Sequence, residues 1–334
     1  MTRIVYQDID EFAEAMRGTV GCFIRTARSP LHWTIEGIEL TTSSMQHLQT
    51  GGPFTFAGKG QSGQLTFHVP LTDVGTLRVN GHILNADSFV VLHEERPFVW
   101  SGSHACQWAA IAVPLNHTLA TLAVSSGAHH AAVRRRTSKT LLDGVKHLID
   151  GARNDHATNL SESSRRSVET QLDAALTHAL DHSVPAGPHQ HIGRPQFSRP
   201  KVIATALTLM NTNEGQPLFI DDLCQATRVS ERALRNIFHE FFGVSPMRLL
   251  KVRQLHEIRA ALLRTRPGVD TVTQIAARFG AFDPSLLARN YKALFEETPS
   301  QTLHRAPTDS SENGRASWLR YASRLFLDAN LNSL

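Results

Sequence analysis

The chain is poor in cysteine, with only Cys22, Cys106 and Cys224 among its 334 residues. Three is an odd count, and no two of them have the spacing of a zinc site. The expectation is reduced, mostly buried thiols in a cytosolic protein, which excludes a disulfide frame. Long hydrophobic runs are also missing. The longest, from Trp108 to Leu115, is interrupted by Pro114 and is far too short to cross a bilayer. The N-terminus lacks an apolar h-region, so no signal peptide is expected. Histidine is abundant at 18, but no His-x-His occurs in the β-rich part of the chain. His93-Glu94-Glu95 has no second histidine close by, and His68, His82, His93 and His104 read as satisfied or exposed side chains. Neither a metal nor any other cofactor is expected.

What is present fits a soluble globular protein with room for two cores: 41% hydrophobic and 19% charged residues. The sequence pI is about 9.2 and the formal net charge +4. The positive charge is concentrated, since residues 199–305 carry 15 Lys/Arg against 10 Asp/Glu. A basic segment of this kind is the electrostatic footprint of a nucleic-acid partner.

That segment contains one unit written twice. Leu223-Cys224, Arg228, Leu234, Phe238 and Ser245-Pro246 recur as Ile275-Ala276, Gly280, Leu287, Tyr291 and Thr298-Pro299. The offset is 52 residues before the turn and 53 after it. Each copy reads as a short helix with a small residue at a close approach, a tight turn, a capping residue (Ser230, Asp283) and a longer amphipathic helix. In the first long helix, Ala233, Leu234, Ile237, Phe238 and Phe241 form the apolar stripe. Arg232, Arg235, Asn236 and His239 occupy the other face, and Arg and Asn have the bidentate geometry that suits guanine and adenine. The second outer face is poorer: Ser285, Leu286, Ala288, Arg289 and Lys292. Between the copies, Ser245-Pro246 starts a helix that Arg266-Pro267-Gly268 stops. About 18 residues span roughly 27 Å, close to the roughly 34 Å between successive major grooves on one face of DNA.

This constellation resembles the AraC/XylS family of bacterial transcription regulators. The resemblance rests on the repeated positions above, together with Gly243-Val-Ser-Pro246, Leu287-Ala-Arg289-Asn-Tyr291-Lys292, Leu294-Phe295 and Thr298-Pro-Ser300. It covers about a third of the chain. One departure stands out. The family usually places an aromatic directly after the second turn glycine, whereas here Ala281 follows and the aromatic is Phe282.

The remainder divides as follows. Residues 1–18 read as a peripheral helix with Ile9, Phe12, Ala13 and Met16 on one side. From Val20 to about Leu115, short β-rich runs alternate with turn signals such as Gly51-Gly52 and Asn80-Gly81. Arg134-Arg135-Arg136 reads as a solvated loop. Two helical stripes follow, Leu141, Val145, Leu148 and Ile149, then Val168, Leu172, Ala175, Leu176 and Leu180. Residues 183–200, rich in Pro, Gly and His, read as a linker. The first helix beyond it is expected near Lys201 to Met210. Residues 306–334 form a tail outside the family pattern.

The expected class is α+β, in four parts. Residues 1–182 form a β-barrel with helices, made cupin-like, ligand-sensing and dimerising by the resemblance. Residues 183–200 are the linker, 201–305 an all-α module of two helix-turn-helix units joined by a long helix, and 306–334 a tail of unknown role. Candidate DNA contacts are Ser230, Arg232, Arg235, Asn236, His239, Ser285, Leu286, Arg289 and Lys292. Candidate ligand contacts are the aromatics Phe54, Phe56, Phe67, Trp100 and Trp108, which also suit an ordinary core. The resemblance implies a cytoplasmic, nucleoid-associated homodimer that binds double-stranded promoter DNA, a small-molecule effector and RNA polymerase, with no membrane partner and no catalytic residue. It further implies a metabolite-responsive activator of catabolic or stress genes. The alternative is an enzyme, either a metal cupin or a DNA-repair methyltransferase, fused to such a module. It requires metal ligands or an activated thiol.

Overall fold

The structure is a computed structural model. It describes residues 2–305 apart from 7–8, 28–31, 73, 86, 126–131, 136–138, 155–160, 186–197, 214–215 and 267. Most of the 183–200 linker, Arg136 and the 306–334 tail lie outside the described residues.

Strand β1 (Thr2–Tyr6) and helix α1 (Ile9–Glu14) open the chain. Then come β2 (Thr19–Arg25), β3 (Trp33–Glu39), β4 (Ser44–Gln49), β5 (Phe54–Gly60) and β6 (Gln64–Pro70). They are followed by β7 (Leu77–Val79), β8 (His82–Ile83), β9 (Ser88–Leu92), β10 (Pro97–Gly102) and β11 (Gln107–Pro114). Helix α2 (Thr118–Ser125), β12 (Ala132–Arg135), α3 (Lys139–Asn154), α4 (Glu162–His182) and β13 (Val184–Pro185) complete this half.

The strands make two antiparallel sheets, ordered β1-β3-β4-β11-β6-β9-β12-β13 and β2-β5-β10-β7-β8. Among the described residues a single parallel bridge, Gly60 to Glu94, links them, so the ladders do not close into a barrel. The expected barrel is thus two facing sheets, and two further expectations change. Residues 2–6 are a strand rather than part of a helix, because Ile4, Val5 and Tyr6 favour an extended chain that pairs with β3. Arg134 and Arg135 lie in β12, paired with β9, rather than in a loop.

Pleating sorts the side chains into layers. The inner faces meet in an aromatic core of Phe12, Phe23, Trp33, Phe54, Phe56, Phe98, Trp100 and Trp108. A Cβ at Gly58 would lie 2.2 Å from the Phe56 ring, so glycine is what lets that ring pack against the sheet. The outer face of the larger sheet presents Phe67, Phe89, Val91 and Ile111 to Leu141, Val145 and Ile149 of α3 and Leu172 and Leu176 of α4. The two helical stripes are thus used up in packing on the sheet.

The second half is helical: α5 (Arg199–Thr212), α6 (Ile220–Thr227), α7 (Glu231–Phe242), α8 (Pro246–Arg264), α9 (Val272–Arg278), α10 (Pro284–Phe295) and α11 (Pro299–Leu303). Its core also takes in Ile24, Ala57 and Val99 from the outer face of the smaller sheet.

Candidate nucleic-acid interface

The repeat in the sequence is also a repeat in backbone geometry. Ser230 and Asp283 cap α7 and α10, their side chains accepting from Ala233 N at 3.3 Å and Leu286 N at 2.9 Å. Both turns enter the left-handed region, at Arg228 (φ 56°) and Gly280 (φ 75°). Both long helices end the same way, at Gly243 (φ 67°) and Glu296 (φ 64°). Ser245 and Thr298 then cap α8 and α11, each followed by proline at the first helical position.

These caps fix which faces point outward. In α7, Leu234, Ile237, Phe238, Phe241 and Phe242 are buried. Arg232, Arg235, Asn236 and His239 are exposed, as is Ser230 at the cap. In α10, Leu287, Tyr291 and Leu294 are buried, while Ser285, Leu286, Arg289 and Lys292 face outward. The Tyr291 hydroxyl is 2.8 Å from Thr302 Oγ1, which ties α10 to α11.

The charges divide by role. Arg199 pairs with Glu240, Arg253 with Glu257, Arg278 with Asp270, and Arg259 and Arg305 both with Glu297. Those guanidiniums hold the module together. Arg232, Arg289 and Lys292 have no side-chain partner among the described residues and remain available. Arg235 pairs with Glu231 at 2.7 Å. An exposed pair of this kind is worth only about 0.2–1 kcal/mol, so a guanine edge or phosphate can displace the carboxylate.

The candidate ligand residues separate. Phe54, Phe56, Trp100 and Trp108 share one cluster, whereas Phe67 faces the helix-backed side. With Met16, Phe23, Phe98 and His68, the four line a cavity of about 10 Å³, room for roughly one water. Both ring nitrogens of His68 and the indole nitrogens of Trp33, Trp100 and Trp108 are buried without a hydrogen-bond partner among the described residues. The cavity walls therefore carry unmet donors, which is unusual for an ordinary core.

Among the described residues no group of three or more His, Cys, Asp or Glu is placed to hold a metal. Burial, aided by Glu231 and Asp221, pushes the Cys224 thiol up, the reverse of an activated nucleophile.

Sequence reasoning did not anticipate the seam between the halves. The Arg248 guanidinium donates to Thr26 O at 3.1 and 2.7 Å, and Ser101 Oγ donates to Phe241 O at 3.1 Å. These partners lie more than a hundred residues apart, and no local pattern connects them.

Comparison with known proteins agrees with the module. Residues 223–305 match a family model described as a helix-turn-helix domain. The chain is 28% identical over 168 residues to the probable thc operon regulatory protein of Rhodococcus erythropolis, covering 50% of this chain and 48% of that protein. It is 31% identical over 113 residues to XylDLEGF operon transcriptional activator 3 of Pseudomonas putida, covering 34% and 32%. The chain spans about half, or less, of the length of these relatives. Among solved structures, the AraC-like transcriptional activator CuxR matches at TM-score 0.34 and 12% identity, covering 67% of this chain and 79% of that one. ToxT of Vibrio cholerae matches at 0.28 and 11%, covering 79% and 98%. Both scores are too low to define a shared arrangement of the two halves. Residues 223–305 thus carry a helix-turn-helix domain, whose repeated units resemble the AraC/XylS type in their order and spacing.

Proposed function

We propose that the chain is a sequence-specific regulator of transcription that binds double-stranded promoter DNA. The observation that carries this reading is the pair of capped helices, α7 and α10, each presenting basic and polar side chains outward, among them Arg232, Arg289 and Lys292, which have no ion-pair partner among the described residues. Helix α8 has 19 residues and spans about 28 Å. It is the rigid spacer that lets one chain address two consecutive major grooves. Activation, through contact with RNA polymerase, is favoured by the printed names of the Pseudomonas relatives, which are transcriptional activators.

The N-terminal half is the sensing half in this reading, a cupin-like arrangement opened into two facing sheets. Its effector site is the cavity under Phe54, Phe56, Trp100 and Trp108. A metabolite enters only if these rings move apart, since the present space holds about one water. Residues 1–182 also supply the homodimer contact, and residues 183–200 the linker to the DNA module.

Base reading falls mainly to the first unit, where Arg232, Arg235 and Asn236 have the stronger reach, while Arg289 and Lys292 anchor phosphates. The test is selection of duplexes from a random pool by the full chain, followed by titration at several salt concentrations. Affinity should fall steeply as salt rises. Arg235→Ala should cost about 1–3 kcal/mol and relax one or two base pairs, and Ser285→Ala should cost less. A flat salt dependence would contradict the interface. Higher information content under the second unit would reverse the roles.

A further inference from the structure

Phe282 is the most exposed large apolar side chain among the described residues, at 79%. It directly precedes Asp283, the cap of α10. An apolar residue at this place ordinarily folds back onto the fourth helical position, here Leu287. Leu287 is already buried, and Ala281 fills the inward-facing position instead.

The backbone holds Phe282 in place. Ala281 N donates to Ala276 O at 3.0 Å on one side, and Leu286 N donates to Asp283 Oδ1 at 2.9 Å on the other. Gly280 packs against Pro217, so closely that a Cβ there would lie 3.1 Å from that ring. The ring is therefore presented outward by a fixed turn. Leu286, 37% exposed, stands one helical turn further on.

The occupant that fits this apolar pair is duplex DNA. In a helix-turn-helix, the N-terminal residues of the second helix are those that reach base edges. Arg289 and Lys292, exposed and without an ion-pair partner among the described residues, continue the same helix and suit phosphate. The major groove displays one apolar group, the thymine C5-methyl. We propose that Phe282, flanked by Leu286, reads a thymine methyl in the half-site under the second unit. This gives that unit a sequence preference beyond Ser285, and it rests on the DNA-binding reading.

The test uses the full chain and a duplex selected by it, with each thymine under the second unit replaced in turn by uracil. That change removes only the methyl group. Wild type should weaken roughly fourfold at one or two positions, the factor expected for one buried methyl-sized group. Phe282→Ala should bind the parent duplex more weakly by a similar factor and should not distinguish thymine from uracil there. Phe282→Leu should keep part of the distinction. Equal sensitivity of wild type and Phe282→Ala at every thymine overturns the proposal. So does a thermal midpoint several degrees lower in Phe282→Ala, which would mean that protein covers the ring. If wild type selects no duplex at all, the DNA-binding reading itself fails, and the proposal with it.

Discussion

Glu169 and His68 are buried titratable residues with opposite surroundings. Burial works against ionisation of Glu169. Hydrogen bonds from Thr42, Ser43 and Thr41 nevertheless hold its carboxyl at about 2. The donors are the backbone N–H groups of all three and the hydroxyls of Thr42 and Ser43, so α4 is pinned to the β3–β4 turn. Glu169→Gln should cost about 1–3 kcal/mol at neutral pH, because the Thr41 N–H then faces an amide NH2 in place of an acceptor and the remaining hydrogen bonds lose the carboxylate charge. Among the described residues His68 has no hydrogen-bond partner at either nitrogen, and burial pushes its imidazole down to about 3. Both folded values lie below the unfolded ones, so both groups make the fold less stable on acidification. The His68 contribution changes as pH falls from about 6.5 toward 3, and that of Glu169 from about 4.5 toward 2. Between pH 7 and 5 the thermal midpoint should fall in the wild type and fall less in His68→Leu. Parallel curves would show that His68 is not the group responsible.

At the scale of elements, the paired turns set the angle at which α7 and α10 are held. Gly280→Ala should destabilise by about 1–2 kcal/mol, the cost of a left-handed residue bearing a Cβ, with the tight contact to Pro217 adding to it. A denaturant titration giving no change would mean that the turn has another conformation. Arg228 occupies the same region in the first unit, which the sequence alone does not reveal. The helical half is otherwise legible, because caps, turn glycine and apolar stripe are all local signals. The β half is legible only where strands are plainly apolar. β3 and β4 escape because their inward polar residues mask the period. Glu36, Gln46 and His47 are buried and satisfy one another's neighbours: His47 sits 3.2 Å from Glu36 and 3.1 Å from Gln107, and Gln46 donates to Ala15 O. Such pairings join distant parts of the chain. The nine candidate DNA contacts were readable as outward positions on two helices. The aromatic set was readable as buried, but not the side of the sheet on which Phe67 falls.

Across the whole molecule, β2, β5 and β10 carry both the cavity and the seam. Phe23, Phe56 and Trp100 point inward, while Ile24, Ala57 and Val99 point toward the C-terminal helices. The molecule is accordingly not two beads on a string. Its halves share an apolar cluster, and separating them would bring Val99 and Ile24 into contact with water. Calorimetry should therefore record one endotherm in which sheet and helices melt together. Val99→Asp would place an unpaired charge in the seam and should split that endotherm into two. Two independent endotherms in the wild type would mean that the cluster does not couple the halves. A fragment cut within residues 186–197 inherits the same liability. Released from the sheet, the helical half carries a bare apolar patch at the end of α7, and it should aggregate as its concentration rises, long before its helices unfold.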